Sequence, residues 1–209
     1  VVLTADHGTF NGDHGRTGKL QTHQFDACGH IPFVVYHPEA GHGERRSQLV
    51  QLVDIYPTVL NAVGRPLPEM PAGRPLHGVD LAPAVADAGA PTRDYAIAGM
   101  FGKSTTITDG RWVLHQTPVE SNAPLHWHGY CLPKFIHYDV GPYVDGRREV
   151  RTGTWDVPTW LSDKQTDFNE LTNLADRHPD KVREMQAALK QTLESLHAPA
   201  DQLQRLGLV

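Results

Sequence analysis

The first part of the chain carries apolar runs that are typical of strands. Residues 1–4, all apolar or β-branched, predict a buried strand of a parallel sheet, and residues 31–36 predict a second strand. A helix is expected to begin after Asp54, a candidate N-cap, because apolar residues then recur at helical spacing until Gly64. Strands followed by a helix indicate an α/β fold in this part of the chain.

The apolar pattern changes after residues 64–92, which are rich in proline and predict an extended connection. Two β-type runs then flank Asp109 and Gly110, a dipeptide that is typical of tight hairpin turns. No periodicity is evident between residues 117 and 160, so no element is predicted there. The later part of the chain therefore begins with antiparallel strands rather than with another α/β unit.

The end of the chain is predicted to be helical. Apolar residues recur every three or four positions over residues 182–196, which predicts an amphipathic helix with Pro179 near its start. A shorter helix is expected around Leu203. We therefore divide the 209 residues into an α/β portion, residues 1–92, and a smaller α+β portion, residues 93–209.

The position of the first predicted strand bears on the extent of the protein. A buried strand needs a partner along both of its edges, and no earlier part of the chain precedes a strand that begins at residue 1. We therefore expect this chain to be the C-terminal part of a longer protein.

Composition and charge exclude several classes of function. The chain has 19 Lys and Arg against 24 Asp and Glu, a net charge of −5 without a basic block, which argues against nucleic-acid binding. Hydrophobic residues make up 39%, too many for a disordered chain, yet no apolar run approaches the roughly 18–20 residues that span a membrane. Two cysteines, Cys28 and Cys131, cannot form a disulfide framework.

Candidate chemistry lies in the glycine-rich loop that follows the first predicted strand. Asp6 and His7 place a carboxylate and an imidazole at the carboxyl end of that strand, which predicts half of a metal site. The glycines that follow allow the loop to fold back and bring the Lys19 ammonium beside the metal, where it would stabilise an oxyanion. Alternatively, Asp6 caps a turn, and His7 and Lys19 lie on the surface.

The order of motifs resembles that of the type I sulfatases of the alkaline phosphatase superfamily. The resemblance covers residues 1–81, the hairpin near 104–115 and residues 167–209. Its segments are, in the family's order, TADHG at 4–8 with GDHG at 12–15 and Lys19, IPFVV at 31–35, VDIYPTVL at 53–60, GRPLHGVDL at 73–81 and DFNELTNLA at 167–175. It implies a three-layer α/β sandwich of the alkaline phosphatase type, incomplete in this chain, and cleavage of a small-molecule or sugar sulfate ester.

The same resemblance implies roles for individual residues. Asp6 and His7 match the family's paired metal ligands, and Lys19 matches the catalytic lysine that contacts the sulfate oxygens. His23 and His30, which the family pattern lacks, are candidates for substrate contact. The formylglycine nucleophile is expected upstream of this chain, since neither cysteine lies in the family's modification motif. This chain alone is therefore not expected to complete a catalytic cycle.

The identity of the implied metal stays open between three ions. The family binds Ca²⁺, which prefers oxygen ligands, whereas His7 offers nitrogen, so Mn²⁺ and Mg²⁺ are alternatives. Two other functions are also open. One is phosphonate monoester or phosphodiester hydrolysis within the same superfamily, and the other is a noncatalytic remnant that binds metal or a partner.

Overall fold

The computed structural model describes residues 1–19, 23–38, 40–41, 43–71, 76–128, 139–152, 154 and 157–209. The strands are β1 (Val2–Thr4), β2 (Phe10–Asn11), β3 (Thr17–Gly18), β4 (Phe33–Val35), β5 (Ala96–Gly99), β6 (Thr105–Thr108), β7 (Trp112–Gln116), β8 (His126–Trp127), β9 (Asp139–Val144), β10 (Arg147–Arg151) and β11 (Trp160–Asp163). The helices are α1 (Asp26–Gly29), α2 (Ile55–Ala62), α3 (Ala82–Ala86), α4 (Pro179–Ser195) and α5 (Ala200–Arg205). None of the helices within these ranges is both long and apolar enough to cross a membrane.

The first strand pairs differently from the prediction. β1 runs antiparallel to β4, with Leu3 opposite Val34. The side chains of these two residues are 65% and 55% exposed, so this face of the two-stranded sheet is open to solvent. Within the part of the chain that the structure describes, β1 therefore pairs antiparallel, contrary to the prediction of a parallel strand, while its burial in a longer protein stays a prediction. An apolar run favours a strand, but its direction of pairing depends on residues far away in the sequence.

The helix after Asp54 begins where the sequence predicts, but Asp54 does not cap it. The Asp54 carboxylate is fully buried and accepts two hydrogen bonds from the Arg93 guanidinium, at 2.5 and 2.6 Å. It also accepts the backbone N–H groups of Gln51 (2.7 Å) and Val79 (2.9 Å). Asp54 therefore joins α2 to two distant segments, as a buried carboxylate must when its charge needs a partner.

The main core lies between a four-stranded antiparallel sheet and helix α4. The strand order is β11-β7-β6-β5, and the β6–β7 hairpin forms around Asp109 and Gly110 as predicted. The core side chains that α4 and the sheet share are Ile107, Leu114, Leu161, Met185, Leu189 and Leu193, with Leu206 and Leu208 beside them. The amphipathic helix, which begins at Pro179, and the shorter terminal helix α5 are therefore confirmed.

Two regions contain elements that the apolar pattern does not predict. α3 lies within the proline-rich connection, and a three-stranded sheet of order β8-β10-β9 lies within residues 117–160. The sequence did contain a turn signal for this sheet, the dipeptide Asp145–Gly146. These two residues join the paired residues Val144 and Arg147 and have φ of 48° and 81°. Such positive values at both positions are typical of two-residue hairpin loops.

Candidate functional site

The loop after β1 brings Asp6, His7 and Lys19 together. The Asp6 Oδ2 lies 3.2 Å from the His7 Nε2, and the Lys19 Nζ lies 2.9 Å from that same nitrogen. A carboxylate, an imidazole and an ammonium therefore meet at one point. Their chemical roles stay predictions, but their convergence is a feature of the fold.

A short hairpin folds the loop back so that Lys19 reaches His7. β2 pairs with β3, with Phe10 opposite Gly18, and the buried Phe10 ring anchors the hairpin. Gly12 and Gly18 have φ of 109° and 86°, which L residues with side chains rarely adopt. These two glycines therefore permit the reversal that places Lys19 directly after β3.

The hydrogen bonds of His7 define which ring nitrogen is available for binding. The His7 Nδ1 lies 2.8 Å from the Gly8 carbonyl oxygen, which can only accept, so we assign the ring proton to Nδ1. The Nε2 lone pair then points toward the Asp6 carboxylate and the Lys19 ammonium. An imidazole oriented in this way by a backbone carbonyl is the arrangement that metal-binding histidines commonly adopt.

This donor pair fits a divalent cation. Two lone-pair atoms, Asp6 Oδ2 and His7 Nε2, lie 3.2 Å apart, and the Lys19 ammonium, 2.9 Å from Nε2, supplies a positive charge beside them. A divalent cation bound by both atoms would supply it as well. The Asp6 side chain is 84% exposed and that of His7 26%, so both are open to further ligands. Within the described ranges no group of three or more His, Cys, Asp or Glu residues is arranged to hold a metal ion, so this loop offers two such ligands, Asp6 and His7.

His23, one of the two histidines predicted to contact substrate, lies in the interior. It is 1% exposed, and both of its ring nitrogens have protein partners, the Ser104 hydroxyl and the Pro158 carbonyl, each at 2.9 Å. Burial, together with the neighbouring His115, lowers the pKa of His23 from its ordinary value of 6.5 to about 3. The structure therefore does not present this ring to the surface beside Asp6 and His7.

The depressed pKa of His23 makes stability depend on pH. Between about pH 3 and 6.5 the unfolded chain binds a proton at this histidine that the folded chain does not bind. The free energy of unfolding should therefore decrease on acidification below pH 6.5, by up to about 1.4 kcal/mol per pH unit. Urea unfolding of the wild type and of His23→Asn, at several values between about pH 4.5 and 6.5, measures this slope.

The His23→Asn variant should lose that part of the pH slope. His30→Asn is the matched control. The hydrogen bond with the Asp26 carboxylate raises the pKa of His30, so the stabilisation that the charged His30 contributes is complete below pH 6.5 and is lost only above it. Parallel pH profiles for wild type and His23→Asn would show that His23 is not the group responsible.

His30, the other predicted substrate contact, is the exposed member of an ion-pair cluster with Asp26 and Lys164. Its Nδ1 lies 3.2 Å from the Asp26 carboxylate, which also contacts the Lys164 ammonium at 2.7 Å. Burial alone would raise the pKa of Asp26, but the hydrogen bonds from His30 and Lys164 hold it below its ordinary value. His30 is accessible, and its contact with a substrate stays a prediction.

Two buried residues near the loop escaped the sequence reasoning. The Glu170 carboxylate accepts the backbone N–H of Asp26 at 2.6 Å and lies 3.0 Å from the His115 Nε2. Glu170 is 1% exposed and His115 is fully buried. Glu170 lies within the 167–175 motif that carries part of the sulfatase resemblance, so the motif itself was the available signal.

Residues 73–75 of another such motif, and Cys131, lie outside the described residues.

In sequence, the chain is similar to arylsulfatase K of several vertebrates. It is 37% identical over 193 residues to arylsulfatase K of Canis lupus familiaris, covering 91% of this chain and 30% of that protein. It is 26% identical over 197 residues to that of Xenopus laevis, covering 93% of this chain and 31% of the relative. The chain thus spans about a third of the length of the curated relatives it matches. No protein-family model matches it.

In structure, the chain is similar to a third of several solved enzymes. A protein solved with its substrate D-glucosamine-2-N,6-O-disulfate superposes with a TM-score of 0.63 at 20% identity, over 93% of this chain and 34% of that chain. A 2-O GAG sulfatase gives 0.62 at 16% identity, over 93% and 36%. The phosphonate monoester hydrolase of Agrobacterium radiobacter gives 0.61 at 20% identity, over 93% and 35%.

These relationships confirm the predicted resemblance to part of a sulfatase. The structural likeness confirms the α/β fold of the alkaline phosphatase type, of which this chain covers about a third. The sequence likeness to arylsulfatases runs over more than nine tenths of the chain.

Proposed function

We propose that this chain, related in sequence and fold to the sulfatases, supplies two metal ligands and the anion-contacting lysine of a sulfate ester hydrolase. The observation that carries the proposal is the convergence of Asp6, His7 and Lys19 in the loop after β1. We further propose that residues 1–92 form the end of the catalytic domain and that residues 93–209 form a C-terminal α+β subdomain.

Asp6 and His7 would hold the metal through the carboxylate oxygen and the Nε2 lone pair. A bound divalent ion supplies Lewis acid polarisation of a sulfate oxygen and orients the attacking nucleophile. Ca²⁺ is the family's ion, and the nitrogen ligand keeps Mn²⁺ and Mg²⁺ as alternatives. The hydrogen bond from Nδ1–H to the Gly8 carbonyl fixes the plane of the His7 ring with Nε2 directed at Asp6. The Lys19 ammonium, which lies 2.9 Å from Nε2, would move aside when a metal binds there.

Lys19 would stabilise the negative charge of the sulfate group. Its ammonium lies 2.9 Å from a proposed metal ligand, so an oxyanion held beside His7 would come within reach of Nζ. A compact ammonium at this place is present before substrate arrives, and preorganised charge of this kind contributes most where charge develops in the transition state. The formylglycine expected in the full-length protein would supply the nucleophile.

The substrate class is a small-molecule or sugar sulfate ester. The curated relatives are arylsulfatases, and one structural relative has a sulfated glucosamine as its substrate, which supports sulfate over other oxyanion esters. Phosphonate monoester hydrolysis is a second candidate, because a phosphonate monoester hydrolase shares this fold at nearly the same TM-score.

The metal ligands can be tested by replacing Asp6 with Ala in the full-length protein. We expect the variant to lose the stoichiometric metal found by elemental analysis of the wild type, and to lose turnover of an aryl sulfate, because one of the two ligands in this chain is gone. Asp13→Ala is the matched control, since Asp13 is exposed in the same loop and its carboxylate accepts the Asn11 N–H.

The same experiment separates the competing functions. Unchanged metal content in Asp6→Ala would contradict the proposed ligand role. A higher kcat/KM for a phosphonate monoester than for an aryl sulfate would favour the second candidate. A wild-type protein that binds metal and turns over neither ester would be the noncatalytic remnant.

A further inference from the structure

The buried Glu170 carboxylate has a fixed position between two parts of the fold. Its Oε2 accepts the backbone N–H of Asp26, the first residue of α1, at 2.6 Å. Its Oε1 lies 3.0 Å from the His115 Nε2, which donates to it. Glu170 adopts φ of 56°, a backbone conformation that costs energy in a residue with a side chain, so its placement is imposed by these contacts.

His115 anchors this carboxylate to the rigid sheet. Its second ring nitrogen, Nδ1, accepts the Thr106 hydroxyl at 2.8 Å, so both ring nitrogens are bonded. His115 and Thr106 belong to β7 and β6, the paired central strands of the four-stranded sheet. The Glu170 carboxylate therefore links α1 to the sheet, because one of its oxygens is bonded to each.

Helix α1 in turn contacts the loop that carries the proposed metal ligands. The Cys28 carbonyl in α1 accepts the backbone N–H of Gly8 at 2.9 Å. A side chain at position 8 would overlap the Ala27 carbonyl oxygen, so the loop and α1 are in direct backbone contact. The Gly8 carbonyl accepts the His7 Nδ1–H, and Gly8 thereby joins α1 to the ring of His7.

The segment of residues 164–170 contacts this loop and α1 at two further points. The His14 Nε2 donates to the Asn169 carbonyl at 3.1 Å, while the His14 ring stacks on Phe25 at 3.8 Å. The Lys164 ammonium pairs with the Asp26 carboxylate at 2.7 Å. The contacts of Glu170 therefore belong to a set that holds the loop and α1 from one side.

We infer that Glu170 is a positioning residue for the proposed metal site, acting through α1 and Gly8 on the ring of His7. The inference rests on the proposed function, because it assigns to Glu170 the orientation of a proposed ligand. The contacts described for the Glu170 side chain are with Asp26 and His115, and not with Asp6 or His7. It keeps the His7 Nε2 directed at the Asp6 carboxylate by fixing the helix against which the loop rests.

The test compares three variants of the full-length protein by two measurements. Glu170→Ala removes the acceptor for the Asp26 N–H. Glu170→Gln keeps an acceptor there, and His115 can move its proton to Nδ1 to accept the new amide while Thr106 turns its hydroxyl. Met185→Ala is the control, because it truncates a buried side chain of α4 in the main core, a cluster separate from that of Phe10, Phe25 and Cys28 at the loop and α1.

The measurements are the Kd for Mn²⁺ and Ca²⁺ by titration, and the hydrogen–deuterium exchange of peptides covering residues 6–19. We expect Glu170→Ala to raise the metal Kd roughly 10- to 100-fold, the usual effect of losing a group that orients a ligand, and to speed exchange in those peptides. Glu170→Gln should restore both measurements nearly to wild type. Met185→Ala should lower Tm while leaving both unchanged.

Positioning and purely structural roles predict different patterns. Wild-type metal Kd and exchange in Glu170→Ala would overturn the inference, as would equal changes in Met185→Ala. If wild type binds no metal, the proposed function fails, and the exchange of residues 6–19 alone still decides whether Glu170 holds the loop.

Discussion

Replacing Lys19 with Ala in the full-length protein should reduce kcat/KM for an aryl sulfate by roughly 10²- to 10³-fold. Removal of one preorganised electrostatic contact to a developing oxyanion costs about 3–4 kcal/mol of transition-state stabilisation. Lys19 fits this role because its ammonium lies 2.9 Å from the Nε2 of a proposed metal ligand. Steady-state kinetics on the purified variant measures the loss.

Metal content and Tm identify the cause of that loss. Both should stay near wild type in Lys19→Ala, because Lys19 is exposed and is not a proposed metal ligand. Lys19→Arg should restore little activity, since a planar guanidinium does not replace a compact ammonium in a small site. Lys190→Ala on α4 is the matched control and should retain full activity. Near-normal kcat/KM in Lys19→Ala would place this lysine outside the catalytic machinery.

A second large effect is expected in the core, where Leu189→Asp should lower Tm by about 10–20 °C. Leu189 is fully buried between α4 and the sheet, so the variant loses apolar packing and places a carboxylate in a cluster of apolar side chains. Loss of a buried Leu alone costs about 2–5 kcal/mol, and the unpaired carboxylate adds its own desolvation cost. Thermal unfolding followed by circular dichroism measures the shift.

Ala187→Asp provides the control for the helix itself. Ala187 is exposed on the same helix, so the substitution introduces the same side chain without burying it. It should cost only the difference in helix propensity, about 0.5–0.7 kcal/mol. Equal Tm for Leu189→Asp and wild type would mean that α4 does not contribute to the core.

Local patterns were sufficient to predict the elements whose signals lie within one segment. The leucine spacing of α4 and the Asp109–Gly110 turn belong to this kind, because helix amphipathicity and tight turns depend on neighbouring residues. The antiparallel pairing of β1 with β4 could not be predicted in this way. The two strands are separated by about 30 residues, whose path decides the direction of pairing. An apolar run has the same pattern in a parallel and in an antiparallel pair.

The candidate site divides along the same line. Asp6, His7 and Lys19 could be found from their order and from the glycines between them, since the hairpin that joins them is local. The interior position of His23 depends on Ser104 and Pro158, which are 81 and 135 residues away. The support that Glu170 gives to Asp26 spans 144 residues, so no local pattern contains it.

The backbone contact at Gly8 has a consequence for how the DHG motif tolerates variation. Gly8 does not have a positive φ, so its backbone conformation does not demand glycine. What excludes every other residue is the Ala27 carbonyl oxygen, which occupies the place of a Cβ atom. In the DHG motif, Asp6 and His7 therefore contribute their side-chain groups, whereas Gly8 is required because it has no side chain. Exchange of Gly8 even for alanine would move the ring of His7 without altering either of the two groups proposed to bind.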